Sequence, residues 1–174
     1  MRHLTILFYA WLLELYRKPL MLSDTTIKLL FIPGFNGLRA FNAKARAYAE
    51  FVKAKRKVPA YREFLKSNGF SKPSFSGMLP NINEIPYTDK ENYVKKYSMD
   101  ERCVNGKVPS KGVIIDESSG SSGTATNWAR GKKERKRNAR IIKFGMRNLL
   151  GKEPLFIINA FALGPWATGV NITM

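Results

Sequence analysis

A short β-branched run that leads directly into a serine and glycine loop is the feature that most narrows the fold of this chain. Val113-Ile114-Ile115 is typical of a strand, and the segment Ser118 to Thr126 contains Gly120 and Gly123 among hydroxyl side chains. Glycine allows backbone angles that are closed to other residues, so main-chain amides approach an anion closely. We therefore expect a strand followed by a phosphate-binding loop.

The alternative interpretation of this loop is a flexible linker between domains, for which Gly/Ser composition is also typical. The flanking sequence argues against a linker, because an apolar strand precedes the loop and Trp128 with a long helical segment follows it. The glycine spacing matches neither the Walker A motif nor the dinucleotide-binding fingerprint. The preferred interpretation is a phosphate-binding loop of another kind.

The chain before the loop is predicted to be mainly helical. Leu4 to Tyr16 should form a helix that stops at Pro19, and turns are expected at Pro33-Gly34 and Asn36-Gly37. Apolar spacing predicts a basic amphipathic helix from Leu38 to Lys57, with its lysines on a solvated face. A shorter helix, Ala60 to Ser67, should end at Asn68-Gly69, and Pro73 to Pro86 should be a loop. Two capping boxes, Thr88 with Glu91 and Ser98 with Glu101, predict further helix starts, the first leading into a helix through Tyr97.

The chain after the loop is predicted to alternate strand and helix. Asn127 to Arg130 is a candidate second strand, and Lys133 to Leu150 should be a helix stopped by Gly151. That helix is expected to bury five apolar side chains: Ile141, Ile142, Phe144, Leu149 and Leu150. Pro154 to Phe161 should return as a strand, with Leu155 to Asn159 beside Val113 to Ile115. The predicted class is α/β, with a helical part at 1–80 and the start of a sheet domain at 81–174.

Composition narrows the function classes. Lys and Arg number 30 against 13 acidic residues, a formal charge of +17 that favours anionic partners. The basic runs Lys53 to Lys57 and Lys132 to Arg137 with Arg140 suggest a nucleic-acid-binding module as the rival function. No zinc-finger spacing or aromatic RNA-binding pattern accompanies them, so solvated faces are preferred and no nucleic acid is expected.

The single cysteine, the single histidine and the N-terminal apolar run argue against a disulfide, histidine catalysis and a membrane span, and they suggest a cytoplasmic location. Cys103 is the single cysteine, which excludes an internal disulfide and fits a reducing compartment. The only histidine, His3, lies too near the N-terminus to be a convincing general base. The apolar run Leu4 to Leu13 is much shorter than the roughly 20 residues that span a bilayer, so no transmembrane segment is expected.

Three segments and the loop together resemble phenylacetate-CoA ligases of the adenylate-forming family. Ser118-Ser119-Gly120-Ser121-Ser122-Gly123 is similar to that family's Ser/Thr-Ser-Gly-Ser/Thr-Thr/Ser-Gly loop, and Thr126 falls where the family often has threonine. Val58 to Leu65 resembles its Pro-x-Tyr helix, and Ile85 to Lys90 its Leu-Pro-x-Thr-Asp-Lys segment. Ile158 to Gly164 resembles the strand and turn that lead to its acyl pocket. The resemblance covers about the last two-thirds of the chain.

The resemblance implies an ATP-dependent ligase that activates a carboxylic acid as its adenylate and then forms a thioester with coenzyme A. ATP with Mg²⁺ would be held by the loop, and the carboxylic acid would be the second substrate. Hydroxyl donors to phosphate would be Ser118, Ser119, Ser121, Ser122 and Thr126, with Gly120 and Gly123 shaping the loop and Thr124 within it.

Two departures from the family pattern affect what is expected. The family commonly has lysine and proline after the second glycine, where this chain has Thr124 and Ala125. Arg130 and Lys132 are candidate replacements for the missing charge. The adenine-binding strand, ribose-binding aspartate, hinge and catalytic lysine of the family have no counterpart before Met174. An N-terminal fragment, inactive alone, is the simplest expectation, and a ligase-derived interaction protein is the alternative. As an isolated fragment, the chain should be marginally stable, expose apolar surface from Leu155 onward and aggregate.

Overall fold

A computed structural model describes residues 1–21, 23–29, 31–117, 125–151, 153, 154, 156 and 158–160. The chain forms two compact units, Met1–Asp89 and Lys90–Met174. Helices together with two small antiparallel sheets confirm a mixed α/β class. The membership of these elements in an adenylate-forming domain, and the division at residue 80, stay predictions.

The first unit begins with four α-helices: α1 (Arg2–Leu20), α2 (Asp24–Leu29), α3 (Asn36–Lys57) and α4 (Pro59–Ser67). The predicted helices within α1, α3 and α4 are thereby confirmed. Pro59 occupies the first turn of α4, where its missing N–H costs no hydrogen bond. Gly69 follows α4 with φ of +61°, the left-handed conformation expected at that stop.

The core of the first unit is built from apolar residues at helical spacing. Ile6 and Ala10 on α1, four positions apart, are buried, as are Ala45, Tyr48 and Phe51 on α3. Helix α4 adds a further buried set: Ala60, Phe64 and Leu65. Helix α1 packs on α3, and α3 packs on α4. Helix α3 is therefore the central element of this unit.

Two helix boundaries differ from expectation. Helix α1 runs through Pro19 and ends at Leu20, because a proline in the last turn removes only one hydrogen bond near the frayed end. The predicted turn at Asn36-Gly37 is wrong, since these residues open α3. The reversal lies before them, where Gly34 has φ of +89°.

The predicted loop Pro73 to Pro86 contains short regular elements. Strands β1 (Phe75–Ser76) and β2 (Leu79–Pro80) form an antiparallel hairpin, followed by a 3₁₀ turn at Ile82–Glu84. Glu84 accepts hydrogen bonds from the backbone N–H and hydroxyl of Ser74, at 2.6 and 2.5 Å. Ser74 precedes β1 and Glu84 follows β2. The two hydrogen bonds between them therefore hold the ends of the hairpin together, although each strand has only two residues.

Glu14 connects α1 to α3 through an ion pair. Its carboxylate lies 2.7 Å from Nε of Arg46 on α3 and 3.1 Å from Arg17 in its own helix. Partial burial by itself raises the pKa of Glu14, but the two guanidinium groups outweigh it, so the pKa lies below its ordinary value of 4.5. The charged form is thus preferentially stabilised in the folded state.

We predict that Glu14→Gln lowers the free energy of unfolding by about 0.5–1 kcal/mol at pH 7, the range for a partly exposed pair. Because the folded pKa is lowered, this contribution is present above pH 4.5 and is lost as pH falls through the lowered pKa. Urea unfolding at pH 7 and pH 3 measures it. Glu50→Gln is the control, because Glu50 pairs only within α3 with exposed Lys53. An equal loss at both pH values would contradict the ion-pair explanation.

The second unit begins with irregular turns. A π-helical turn spans Lys90–Val94, where an α-helix through Tyr97 was predicted. No residue of that turn is buried, so there is no packed face to extend the helix beyond its first turn. The second capping box forms its bonds: the backbone N–H of Ser98 donates to Glu101 at 2.8 Å, and that of Glu101 donates to Ser98 Oγ at 3.3 Å. It closes a turn rather than a helix.

The regular part of the second unit is a hairpin followed by a helix. Strand β3 (Val113–Glu117) pairs antiparallel with β4 (Asn127–Gly131), and α5 (Lys132–Leu150) follows directly. The predicted strand at Val113 to Ile115, the second strand and the helix are confirmed. Gly151 ends α5 with φ of +84°.

Two predictions about the second unit are wrong. Helix α5 has no buried residue, and Ile141, Ile142, Leu149 and Leu150 are all exposed, since no described element covers that face. Of the predicted strand Pro154 to Phe161, residues 155, 157 and 161 lie outside the described residues; the others form no strand, and Phe156 and Ile158 are exposed. The neighbour of β3 is β4, because a hairpin partner close in sequence has a lower loop-closure cost.

Candidate functional site

The β3–β4 hairpin holds both ends of the predicted phosphate loop. Glu117 pairs with Asn127 at the end of the ladder, so the segment 118–126 connects two adjacent strand ends. Of the predicted site residues, Ser118, Ser119, Gly120, Ser121, Ser122, Gly123 and Thr124 lie outside the described residues. Thr126 is described and is half-buried beside the start of β4.

A buried carboxylate organises the stem of this hairpin. Asp116 on β3 is only 1% exposed, and its Oδ2 accepts a hydrogen bond from Nε of Arg130 on β4. Arg130 also donates from Nη1 to Glu134 on α5, at 2.7 Å. One guanidinium thus joins both strands and the first turn of the helix, which orients the hairpin on α5.

The charge of Arg130 is already compensated. Burial alone lowers the pKa of Arg130, but hydrogen bonds and charge attraction from Asp116 and Glu134 outweigh it, so its pKa is raised. Nε and Nη1 face these carboxylates. The expectation that Arg130 replaces the missing loop lysine therefore has no support from its contacts.

Lys132, the other candidate replacement, lies at the wrong end of the hairpin. It follows Gly131, which pairs with Val113 at the opposite end of the ladder from Glu117 and Asn127. Strands of five residues at about 3.3 Å per residue separate the two ends by more than the reach of one lysine. Lys132 is exposed at that end.

Arg102 is a cation that the structure places at the loop stem, and its position there was not predicted from the sequence. Its Nη2 donates to the backbone oxygen of Asn127 at 3.3 Å. Its guanidinium lies 5.4 Å from the centre of the Trp128 ring, a cation–π contact. Arg102 makes no salt bridge within the described part of the chain. Because 25 positions separate it from Asn127, no local pattern connects the two residues.

The other segments that carry the resemblance are distributed over both units. Val58 to Leu65 forms the start of α4, with Phe64 and Leu65 in the core. Ile85 to Lys90 is an irregular segment that ends at the π-helical turn. Of Ile158 to Gly164, only 158–160 are described.

Residues with other possible chemistry have structural contacts. Burial and the charge of Asp100 raise the pKa of the half-buried Cys103, which disfavours a reactive thiolate. His3 shares a hydrogen bond of 2.7 Å with the hydroxyl of Tyr48. Within the described ranges, no three His, Cys, Asp or Glu side chains form a cluster for a metal ion. None of the helices in the same ranges has the length and apolar character needed to cross a membrane.

Comparison with known families, curated proteins and solved structures gives no match to this chain.

We predict that Arg130→Met destabilises the hairpin by about 3 kcal/mol, because it removes the guanidinium that is hydrogen-bonded to the buried carboxylate of Asp116. Hydrogen exchange of the β3 and β4 amides measures the local loss. Arg137→Met, which removes an exposed cation from α5, is the matched control and should change exchange little. Adding Asp116→Leu to Arg130→Met should restore part of the protection. Unchanged exchange in the single variant would contradict the role of this ion pair.

Proposed function

We propose that this chain is the N-terminal portion of an ATP-dependent carboxylate–CoA ligase, in which the segment 118–126 holds the phosphates of ATP. The observation that carries the proposal is the position of that segment between the paired residues Glu117 and Asn127. A linker joins separate bodies, whereas this segment joins two neighbouring strands of one hairpin. The ladder therefore fixes the two points between which the segment runs, at one end of the hairpin.

The chemistry of the loop suits a triphosphate. In the first step, an oxygen of the substrate carboxylate attacks the α-phosphorus and the bond to pyrophosphate breaks. Hydroxyl donors at Ser118, Ser119, Ser121, Ser122 and Thr126 would stabilise the negative charge that develops on the departing oxygens. Mg²⁺ would arrive bound to ATP, since proteins commonly hold Mg²⁺ through substrate phosphates rather than in a cage of their own side chains. Coenzyme A would then accept the acyl group on its thiol, with AMP leaving.

Arg102 supports the same function from the stem. Its guanidinium lies beside Asn127, where the loop returns to the sheet, and Arg102 forms no ion pair with a described carboxylate. An arginine in this position would supply a positive charge to the phosphates. That charge would take the place of the family's lysine, since this chain has the neutral residues Thr124 and Ala125 after the second glycine. Arg102 is therefore the proposed replacement for the lysine of the family pattern.

A nucleic-acid-binding module is the second candidate, because the first half of α5 displays an uncovered basic surface. Arg135 donates a hydrogen bond to the backbone oxygen of Gly112, and Glu134 accepts one from Arg130, so both side chains already contact the hairpin. The exposed cations of α5 in this region are Lys132, Lys133, Lys136, Arg137 and Arg140. Such a surface would neutralise several phosphates and bind with strong salt dependence.

We predict that Ser121→Ala with Ser122→Ala weakens binding of MgATP at least about tenfold, because each hydroxyl lost from a charged oxygen is worth about 1.5–3 kcal/mol. Gly123→Val should be at least as damaging, since its side chain restricts the backbone and blocks amide approach. Isothermal titration of MgATP into the whole chain measures these effects. Ser76→Ala with Ser110→Ala, both exposed and outside the loop, is the control.

Binding measurements on a further variant distinguish the ligase from the nucleic-acid-binding module. Lys133→Ala with Lys136→Ala and Arg137→Ala removes exposed α5 cations and spares Arg135, which donates to the backbone oxygen of Gly112. For a ligase, this triple variant retains MgATP affinity. Loss of salt-sensitive DNA or RNA binding in the triple variant, together with normal MgATP binding by the serine and glycine variants, would replace the ligase proposal by its rival.

A further inference from the structure

The first unit contains an open cavity of about 1230 Å³, and none of its lining residues belongs to the segment 118–126. It is bordered by the start of α1, the second half of α3, the first half of α4 and the segment before β1. Pockets for small organic ligands commonly have volumes of roughly 300–1,000 Å³, so this space accommodates such a ligand with room at its mouth.

The inner wall of the cavity is aromatic. Tyr48 and Phe51 on α3 are buried, and Phe75 on β1 is half-buried against them. The ring of Tyr48 meets that of Phe75 edge to face with centroids 5.4 Å apart, and stacks with that of Phe51 at 5.9 Å. Val52 adds a half-buried aliphatic side chain beside them. This wall favours the apolar body of a ligand.

The outer wall carries only positive charge. Five basic residues line the cavity and no acidic residue does: Arg2, Lys55, Arg56, Arg62 and Lys72. Within the described part of the chain, none of the five forms an ion pair. Like charges this close repel one another, so an anion bound among them would lower the energy of the folded state.

Two internal hydrogen bonds position this charge. Nζ of Lys55 donates to the backbone oxygen of Ser71 at 2.5 Å, and Nη2 of Arg62 donates to that of Arg56 at 3.0 Å. Arg2 and Lys72 are exposed, so their charged ends are free to meet a ligand. His3 closes the α1 side of the cavity through its hydrogen bond to Tyr48, whose pKa is raised by burial and whose phenol stays neutral.

We propose that this cavity binds an amphiphilic anion, with an acyl or alkyl chain against Tyr48, Phe51 and Phe75 and one carboxylate or phosphate headgroup between Arg2 and Lys72. The aromatic wall distinguishes this ligand from inorganic phosphate, which has no apolar body. The buried position of that wall distinguishes it from a nucleic-acid backbone, which would contact only the exposed cations. The site is independent of the ligase proposal, because it uses no residue of the hairpin.

Titration of the whole chain with decanoate below its micellar concentration tests the proposal. We expect saturable binding of one molecule per chain, with 1-decanol and acetate each at least about tenfold weaker because each lacks one half of the ligand. Decyl phosphate is titrated alongside decanoate, and whichever binds more tightly identifies the preferred headgroup. Tight binding of either supports the shared chemistry.

Variants localise the site. Arg2→Gln with Lys72→Gln should weaken decanoate at least about tenfold, since it removes the charge-assisted contacts to the headgroup. Lys44→Gln with Lys66→Gln lowers the net charge equally at exposed positions that do not line the cavity, and should change affinity less than about twofold. Val52→Trp should block the chain-binding half, and circular dichroism verifies that it remains folded.

Several results would overturn the proposal. One is non-saturable uptake of decanoate; another is an equal loss of affinity in both charge-matched pairs. Unchanged decanoate affinity in Arg2→Gln with Lys72→Gln would do the same even if Val52→Trp failed to fold. If that lining pair instead weakens binding to single-stranded RNA and leaves decanoate affinity unchanged, the cavity rim is a nucleic-acid surface.

Discussion

The arrangement of the second unit depends on the buried carboxylate of Asp116 and its arginine partner. Asp116 and Arg130 are diagonal neighbours across the hairpin, since Ile114 pairs with Arg130 and Asp116 with Trp128. A shift of one residue in the register would move Arg130 to the opposite face of the sheet and remove its guanidinium from Asp116. The ion pair therefore specifies the register of the two strands. The hydrogen bond from Arg130 to Glu134 also fixes the first turn of α5 relative to the hairpin.

Different interactions stabilise the interior of each unit. The first has an apolar core of helix residues around Tyr48 and Phe51, with ion pairs such as Glu14 to Arg46 between its helices. In the described part of the second unit no apolar residue is fully buried, and Asp116 is the buried side chain. Its stability must therefore rest more on hydrogen bonds and charge pairs, whose net contribution is modest in water.

Local signals predicted much of the fold, and distant contacts account for most of the errors. The spacing around Tyr48, the stop at Gly69, the β-branched run at Val113 and the stop at Gly151 each predicted an element correctly. The expected burial of the apolar residues on α5 was wrong, because burial requires a covering element that helical periodicity does not reveal. The position of Arg102 was missed for the same physical reason: its partner Asn127 is brought near only by folding.

The contact between Arg102 and Trp128 gives the hairpin an optical reporter. A guanidinium close to an indole ring alters the electric field that sets its emission wavelength, so movement of Arg102 changes the fluorescence of Trp128. Trp11 and Trp166 are the other tryptophans in this chain, and replacing both by phenylalanine leaves Trp128 as the single source of tryptophan emission. Events at the neighbouring end of the segment 118–126 then become visible in solution without a label attached to that segment.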